Sequence, residues 1–101
     1  MKLTIKIIQN PDNTNWDFCV DLNRLSPNQR QTWDSFLAQS GFLSLPNGSQ
    51  YTDPGYRSSF NLDYYVVTLH LDNGTRHQII VSDPGCNQRL TDQIKTLMNA
   101  F

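Results

Sequence analysis

The segment from Asp63 to Val81 constrains this chain more than any other, because two alternating apolar runs flank a single turn signal, Asp72-Asn73-Gly74. Such a pattern specifies an antiparallel hairpin, and the turn geometry decides which side chains share a face. A two-residue Asn73-Gly74 turn sets Leu69 against Gln78, Leu71 against Arg76 and His70 against His77, which leaves both faces mixed. A three-residue loop with Gly74 in the left-handed conformation instead pairs Tyr65 with Val81, Val67 with Ile79 and Leu69 with His77. One face is then almost wholly apolar, so this register is expected. It also places His70 and His77 on opposite faces.

The rest of the chain follows the same logic. Met1 to Ile8 alternates, with Leu3, Ile5 and Ile7 on one side and Lys2, Thr4 and Lys6 on the other, the period of a half-buried strand. The turn formers Asn10-Pro11-Asp12-Asn13-Thr14-Asn15 come next, and then Trp16, Phe18, Val20 and Leu22 alternate with Asp17, Cys19 and Asp21. This predicts a first antiparallel hairpin with a longer loop. Ser26-Pro27-Asn28-Gln29 supplies an N-cap, a proline at the first helical position and a glutamine placed to close a capping box. Trp33, Phe36 and Leu37 form the apolar stripe of the helix that follows, and Gly41 is its left-handed stop. Leu90, Ile94, Leu97, Met98 and Phe101 predict an amphipathic helix after Asn87-Gln88-Arg89. The fold class read from this pattern is α+β, in the order ββαββα. A four-stranded antiparallel sheet with two helices on one face is the simplest packing, because each strand has one apolar face and each helix one apolar stripe. A chain of 101 residues buries about 60–65% of its unfolded surface, enough for one domain over 1–101 without staples.

Between Phe42 and Asn61 the periodicity fails, and Pro46, Gly48, Pro54 and Gly55 punctuate a polar stretch, so 42–62 reads as one long loop. Loops of that length in small domains are often functional. Its Tyr51, Tyr56 and Phe60 are candidate anchors for another protein, since aromatic side chains carry much of the energy of interfaces. Trp16 and Trp33 read as core on their periodicity.

The chemistry of catalysis finds little purchase. The formal charge is −1, and the eight Lys and Arg residues are scattered, which argues against nucleic acid as a partner. No apolar run is long enough for a membrane span or a signal peptide, so the expected location is the cytoplasm, and Cys19 and Cys86 are expected as reduced thiols. All nine acidic residues are aspartates, mostly in turns, strand exteriors or caps, and no glycine-rich phosphate loop occurs. Cys86 precedes a helix, where the dipole lowers a thiol pKa, but no base is placed beside it. No metal or cofactor site is expected, and the chain reads as a non-enzyme that presents surface to another protein. A metal- or thiol-responsive protein using His70, His77, Cys19 and Cys86 is the weaker alternative.

Val20-Asp21-Leu22-Asn23-Arg24-Leu25-Ser26-Pro27, the helix exit Ser40-Gly41-Phe42-Leu43-Ser44-Leu45-Pro46 and the hairpin from Tyr65 to Ile79 together resemble the emfourin family. Members of that family inhibit thermolysin-like metallopeptidases such as protealysin. The resemblance spans the second strand to the last helix and lies mostly in structural motifs. It implies a proteinaceous inhibitor that occludes a substrate cleft with a loop or strand edge. The contact residues it would use are Asn13, Thr14 and Asn15 in the first hairpin loop and Tyr51, Tyr56, Arg57 and Phe60 in the long loop. The chain departs from the family's glycine-rich first hairpin by carrying Asn10-Pro11-Asp12-Asn13-Thr14-Asn15 there. A protein-interaction module with a different target is the rival reading.

Overall fold

Alternating sequence becomes five strands and two helices in a computed structural model that describes residues 1–9, 14–52 and 63–101. The strands are β1 (Lys2–Gln9), β2 (Thr14–Asp21), β3 (Ser49–Tyr51), β4 (Asp63–His70) and β5 (Arg76–Asp83), and the helices are α1 (Pro27–Ser40) and α2 (Gln88–Ala100). They form one sheet in the order β2-β1-β4-β5-β3. The central pairings are antiparallel, and β3 joins β5 in parallel.

The register of the second hairpin is the one that the apolar face required. Tyr65 stands opposite Val81, Val67 opposite Ile79 and Leu69 opposite His77. The loop closes with Leu71 N–H donating to the Thr75 carbonyl and Gly74 N–H donating to the Leu71 carbonyl, while Gly74 takes φ +87°. Asn73 braces it by accepting from the Thr75 N–H and hydroxyl.

Four antiparallel strands were the expectation, and the structure corrects it to five strands in a mixed sheet. The added strand lies within the stretch read as a loop from 42 to 62. Three residues, Ser49-Gln50-Tyr51, are too few to show a period, and only the unsatisfied edge of β5 gives them a place. Asn47 Oδ1 accepts the Gln78 N–H at 2.8 Å, and Gly48 N–H donates to the Gln78 carbonyl at 2.6 Å, so the parallel pairing begins already anchored. Upstream, Phe42–Ser44 forms a single 3-10 turn, and Phe42 is wholly buried.

The α1 ends are as the sequence requires. Ser26 Oγ accepts from the Gln29 N–H, Gln29 Oε1 accepts from the Ser26 N–H, Pro27 opens the helix, and Gly41 closes it at φ +63°. Asn87 caps α2 by accepting the Leu90 N–H.

One face of the sheet meets both helices. Leu3, Ile5, Ile7, Tyr65, Val67, Leu69, Ile79 and Val81 from the strands join Trp33 and Phe36 of α1 and Leu90, Ile94 and Leu97 of α2 in a single buried cluster. Each fully buried aliphatic or aromatic side chain contributes about 1.5–3 kcal/mol relative to exposure, which makes this layer the main source of stability. The other face carries Lys2, Thr4, Lys6, Val66, His70, Gln78 and Ile80, and no helix among the described residues covers it.

Candidate functional site

Strand register brings the two stretches singled out in the sequence to the same end of the sheet. Gln9, the last residue of β1, stands opposite both Thr14 and Asp63, and Asp63 stands opposite Asp83. Tyr51, the last residue of β3, pairs with Val81, two residues before Asp83. The chain therefore leaves and re-enters the sheet here on both sides of 10–13 and of 53–62. Of the candidate contacts, Asn13, Tyr56, Arg57 and Phe60 lie outside the described residues. Thr14 opens β2, Asn15 is exposed, and Tyr51 is half-buried with its ring against the core.

Behind this end runs a row of side chains crossing all five strands: Trp16, Ile7, Tyr65, Val81 and Tyr51. Ile7, Tyr65 and Val81 are buried, but Trp16 is 44% exposed. Its expected place in the core is thus corrected, whereas Trp33 is buried as expected. Alternation told which face of the strand Trp16 occupies. It did not tell that the strand is the sheet's edge and that the residue lies near its end, where nothing among the described residues packs beyond it. Among the described residues the other large exposed hydrophobic is Leu43, which follows Phe42, whose ring meets His77 near the opposite end of β5, so the two form no common patch.

A charged cluster that the sequence did not reveal lies at the same end. Lys95 Nζ of α2 contacts Asp83 Oδ2 at 2.8 Å, and Gln88 Nε2 donates to Asp83 Oδ1 at 3.0 Å and to Asp92 Oδ1 at 3.1 Å. The hydrogen bond from Lys95 holds the Asp83 carboxyl below its ordinary value. Asp63 is pushed up instead, first by burial and then by the charge of Asp83 across the ladder. Tyr65 is raised by burial and then by Asp63. Two carboxylates at directly paired positions repel, and Lys95 of the helix layer hydrogen-bonds Asp83 while acting on Asp63 by its charge alone, too weakly to cancel burial and the charge of Asp83. Spacing alone hid this cluster, since Asp63, Asp83 and Lys95 are far apart in sequence. The only signal was that the ladder pairing Tyr65 with Val81 must also pair Asp63 with Asp83.

Glycine at 85 has a close-approach role beside it. A Cβ there would overlap the Ser82 carbonyl and lie 3.0 Å from the Tyr51 carbonyl, so the turn after β5 packs directly on the end of β3. Ser82 Oγ donates to the Pro84 carbonyl, and Thr91 Oγ1 donates to the Ser82 carbonyl from α2.

The histidines serve the fold in different ways. His77 Nε2 lies 2.9 Å from the Phe42 carbonyl, and its ring meets Phe42 edge-on at 4.9 Å between centroids, at the end of the core face. His70 is half-buried on the uncovered face, 3.4 Å from Thr4 Oγ1. Cys19 and Cys86 are exposed, unbridged thiols. Among the described residues no group of three or more His, Cys or Asp side chains gathers as a set of metal ligands, and no helix is long and apolar enough to cross a membrane. A groove between the helices is lined chiefly by uncharged side chains, among them Gln31, Ser35, Gln39, Gln93 and Thr96.

What the described end of the sheet offers is a platform of aromatic and polar side chains from which two segments emerge. No protein-family model, curated protein or solved structure matches the chain.

Proposed function

We propose that this chain acts without catalysis, by binding another protein through the end of the sheet bounded by Asn15, Trp16, Tyr51 and Asp63. The observation that carries the reading is the convergence at that end of a terminus from each of the five strands around a tryptophan left 44% exposed. Exposed tryptophan on a rigid support is a favoured anchor of interfaces, because it loses little conformational freedom on binding. The target we assign is a thermolysin-like metallopeptidase, blocked by occlusion of its substrate cleft. This assignment rests on the resemblance of the helix exit and second hairpin to emfourins.

The test is titration of the protein into a thermolysin-type peptidase assay, with direct binding followed in parallel. Inhibition that saturates at one inhibitor per enzyme is expected, and Trp16→Ala is expected to weaken it by tenfold or more, the loss typical of an interface anchor worth about 2 kcal/mol. Absence of both inhibition and binding at micromolar concentrations would remove this class of target. Binding without inhibition would favour the interaction-module reading, in which the same surface serves a different end.

A further inference from the structure

The outer edge of β2 is the largest unsatisfied backbone surface among the described residues. Leu22 N–H donates to the Met1 carbonyl at 3.1 Å, which continues the β1·β2 ladder one step past Lys2 and Asp21. Hydrogen-bonded and non-hydrogen-bonded pairs alternate along an antiparallel ladder. Leu3 and Val20, Ile5 and Phe18, and Ile7 and Trp16 are therefore the hydrogen-bonded pairs. It follows that Asn15, Asp17 and Cys19 direct their N–H and C=O groups away from the sheet, as Asp21 does its N–H, while the Asp21 carbonyl opens the 3-10 turn Leu22–Arg24. The register runs unbroken over all eight residues, with no bulge, and the strand holds neither proline nor lysine, the usual devices that protect an edge.

We propose that this edge pairs with the same edge of a second copy of the chain, antiparallel and centred on Phe18, giving a continuous ten-stranded sheet. Symmetry and charge select the centre. An antiparallel strand pair related by a two-fold axis sets each residue opposite one equally far beyond the axis, and both helix layers fall on the same side. An axis at Asp17 sets Asp17 against Asp17 of the second copy, and an axis at Cys19 sets Asp17 against Asp21. Like charges directly opposite are unfavourable in either case. An axis at Phe18 sets Asp17 against Cys19 and Asn15 against Asp21, removes both carboxylate oppositions and pairs the strand over its greatest length.

The same centre is the best fit for the apolar side chains. Phe18 meets Phe18 of the second copy at the axis, with Trp16 over Val20 on either side. Phe18 already stacks on Phe101 of α2, with ring centroids 6.2 Å apart and planes 12° from parallel, so the axis extends an existing aromatic contact. The exposed face of Trp16 and the half-buried Phe18 and Val20 make one apolar strip in the dimer. A strand-edge contact of this length is small beside stable interfaces of about 1,200–2,000 Å². The association is weak and concentration-dependent.

This pairing and the peptidase reading both use Trp16, so the two compete for it, but the pairing is tested on the isolated protein and its failure leaves the peptidase reading standing. Sedimentation equilibrium of the wild type is expected to show monomer and dimer exchanging with concentration. Cys19→Pro removes an outward N–H that no strand of the monomer uses, so it should leave the monomer's circular dichroism intact and abolish the dimer. In a Cys19→Ser, Cys86→Ser background, Phe18→Cys should cross-link in high yield with diamide, which takes up the two thiol hydrogens. Non-hydrogen-bonded partners have Cα atoms about 4.5 Å apart, within disulfide reach. Val20→Cys in the same background should not cross-link. A protein that stays monomeric up to about 1 mM, where even a millimolar Kd would show, overturns the proposal. So does a dimer that Cys19→Pro leaves intact, or wild-type protein that cross-links through Cys19, which would move the axis.

Discussion

Both β3 and β2 end the sheet, yet β3 is three residues long and tied at its start by Asn47 and Gly48, whereas β2 runs for eight residues with no strand among the described residues on its outer side. The short edge exists because a neighbour needed it. The long edge exists because its own alternating sequence needed only one partner, β1, to hide its apolar face. An edge assembled from tertiary contacts should be sensitive to any residue that anchors it, and an edge written into local sequence should tolerate changes on its outward side.

The largest expected effect falls on the assembled edge. Gly85→Ala forces the turn off the Ser82 and Tyr51 carbonyls and should destabilise the protein by about 1–3 kcal/mol, the range for inserting a group into a packed site. A melting temperature unchanged from wild type would show that β3 is not held by this contact. Asn47→Ala comes next. Loss of the side-chain bond to the Gln78 N–H should remove about 1 kcal/mol and raise the exchange rate of the Gln78 amide. Asn15→Ala on the other edge should change stability by less than about 0.5 kcal/mol, as expected for an exposed substitution. Equal losses at the two positions would erase the contrast.

Hydrogen exchange reads the same contrast without substitution. The amides of Asp17 and Cys19 should exchange rapidly in dilute protein, while that of Phe18 is protected. If the two-fold pairing forms, the Asp17 and Cys19 amides gain protection as concentration rises.

An effect of similarly small size concerns the carboxylates. Lys95→Met should lower stability at neutral pH by about 0.5 kcal/mol, a value appropriate to a pair that is largely in solvent. Because Asp83 is held below the ordinary carboxylate value, its contribution is present above that value and is lost as pH falls through its lowered pKa. Asp63 is raised, so its charged form is a penalty at neutral pH that is relieved as pH falls through its raised pKa. Asp63→Asn should therefore stabilise slightly at neutral pH, with the gain fading in acid. A thermal-melt series against pH with the opposite trend would refute the assignment of the raised group.

Sequence patterning alone was enough for both hairpins, both helices, the capping box at Ser26 and Gln29, and the separation of His70 from His77. Each of these depends on neighbours along the chain or on a single apolar face, and alternation and capping chemistry report such dependence directly.

What only the tertiary structure decided was adjacency: the strand order, the parallel seating of β3, the exposure of Trp16 and the opposition of Asp63 and Asp83 beneath Lys95. A period of two says which way a side chain points, but not whether another strand lies beyond it. That depends on which backbone groups elsewhere remain unpaired. Ser49–Tyr51 became a strand because β5 had an edge to satisfy, and β2 remained an edge because nothing in the described chain satisfied it.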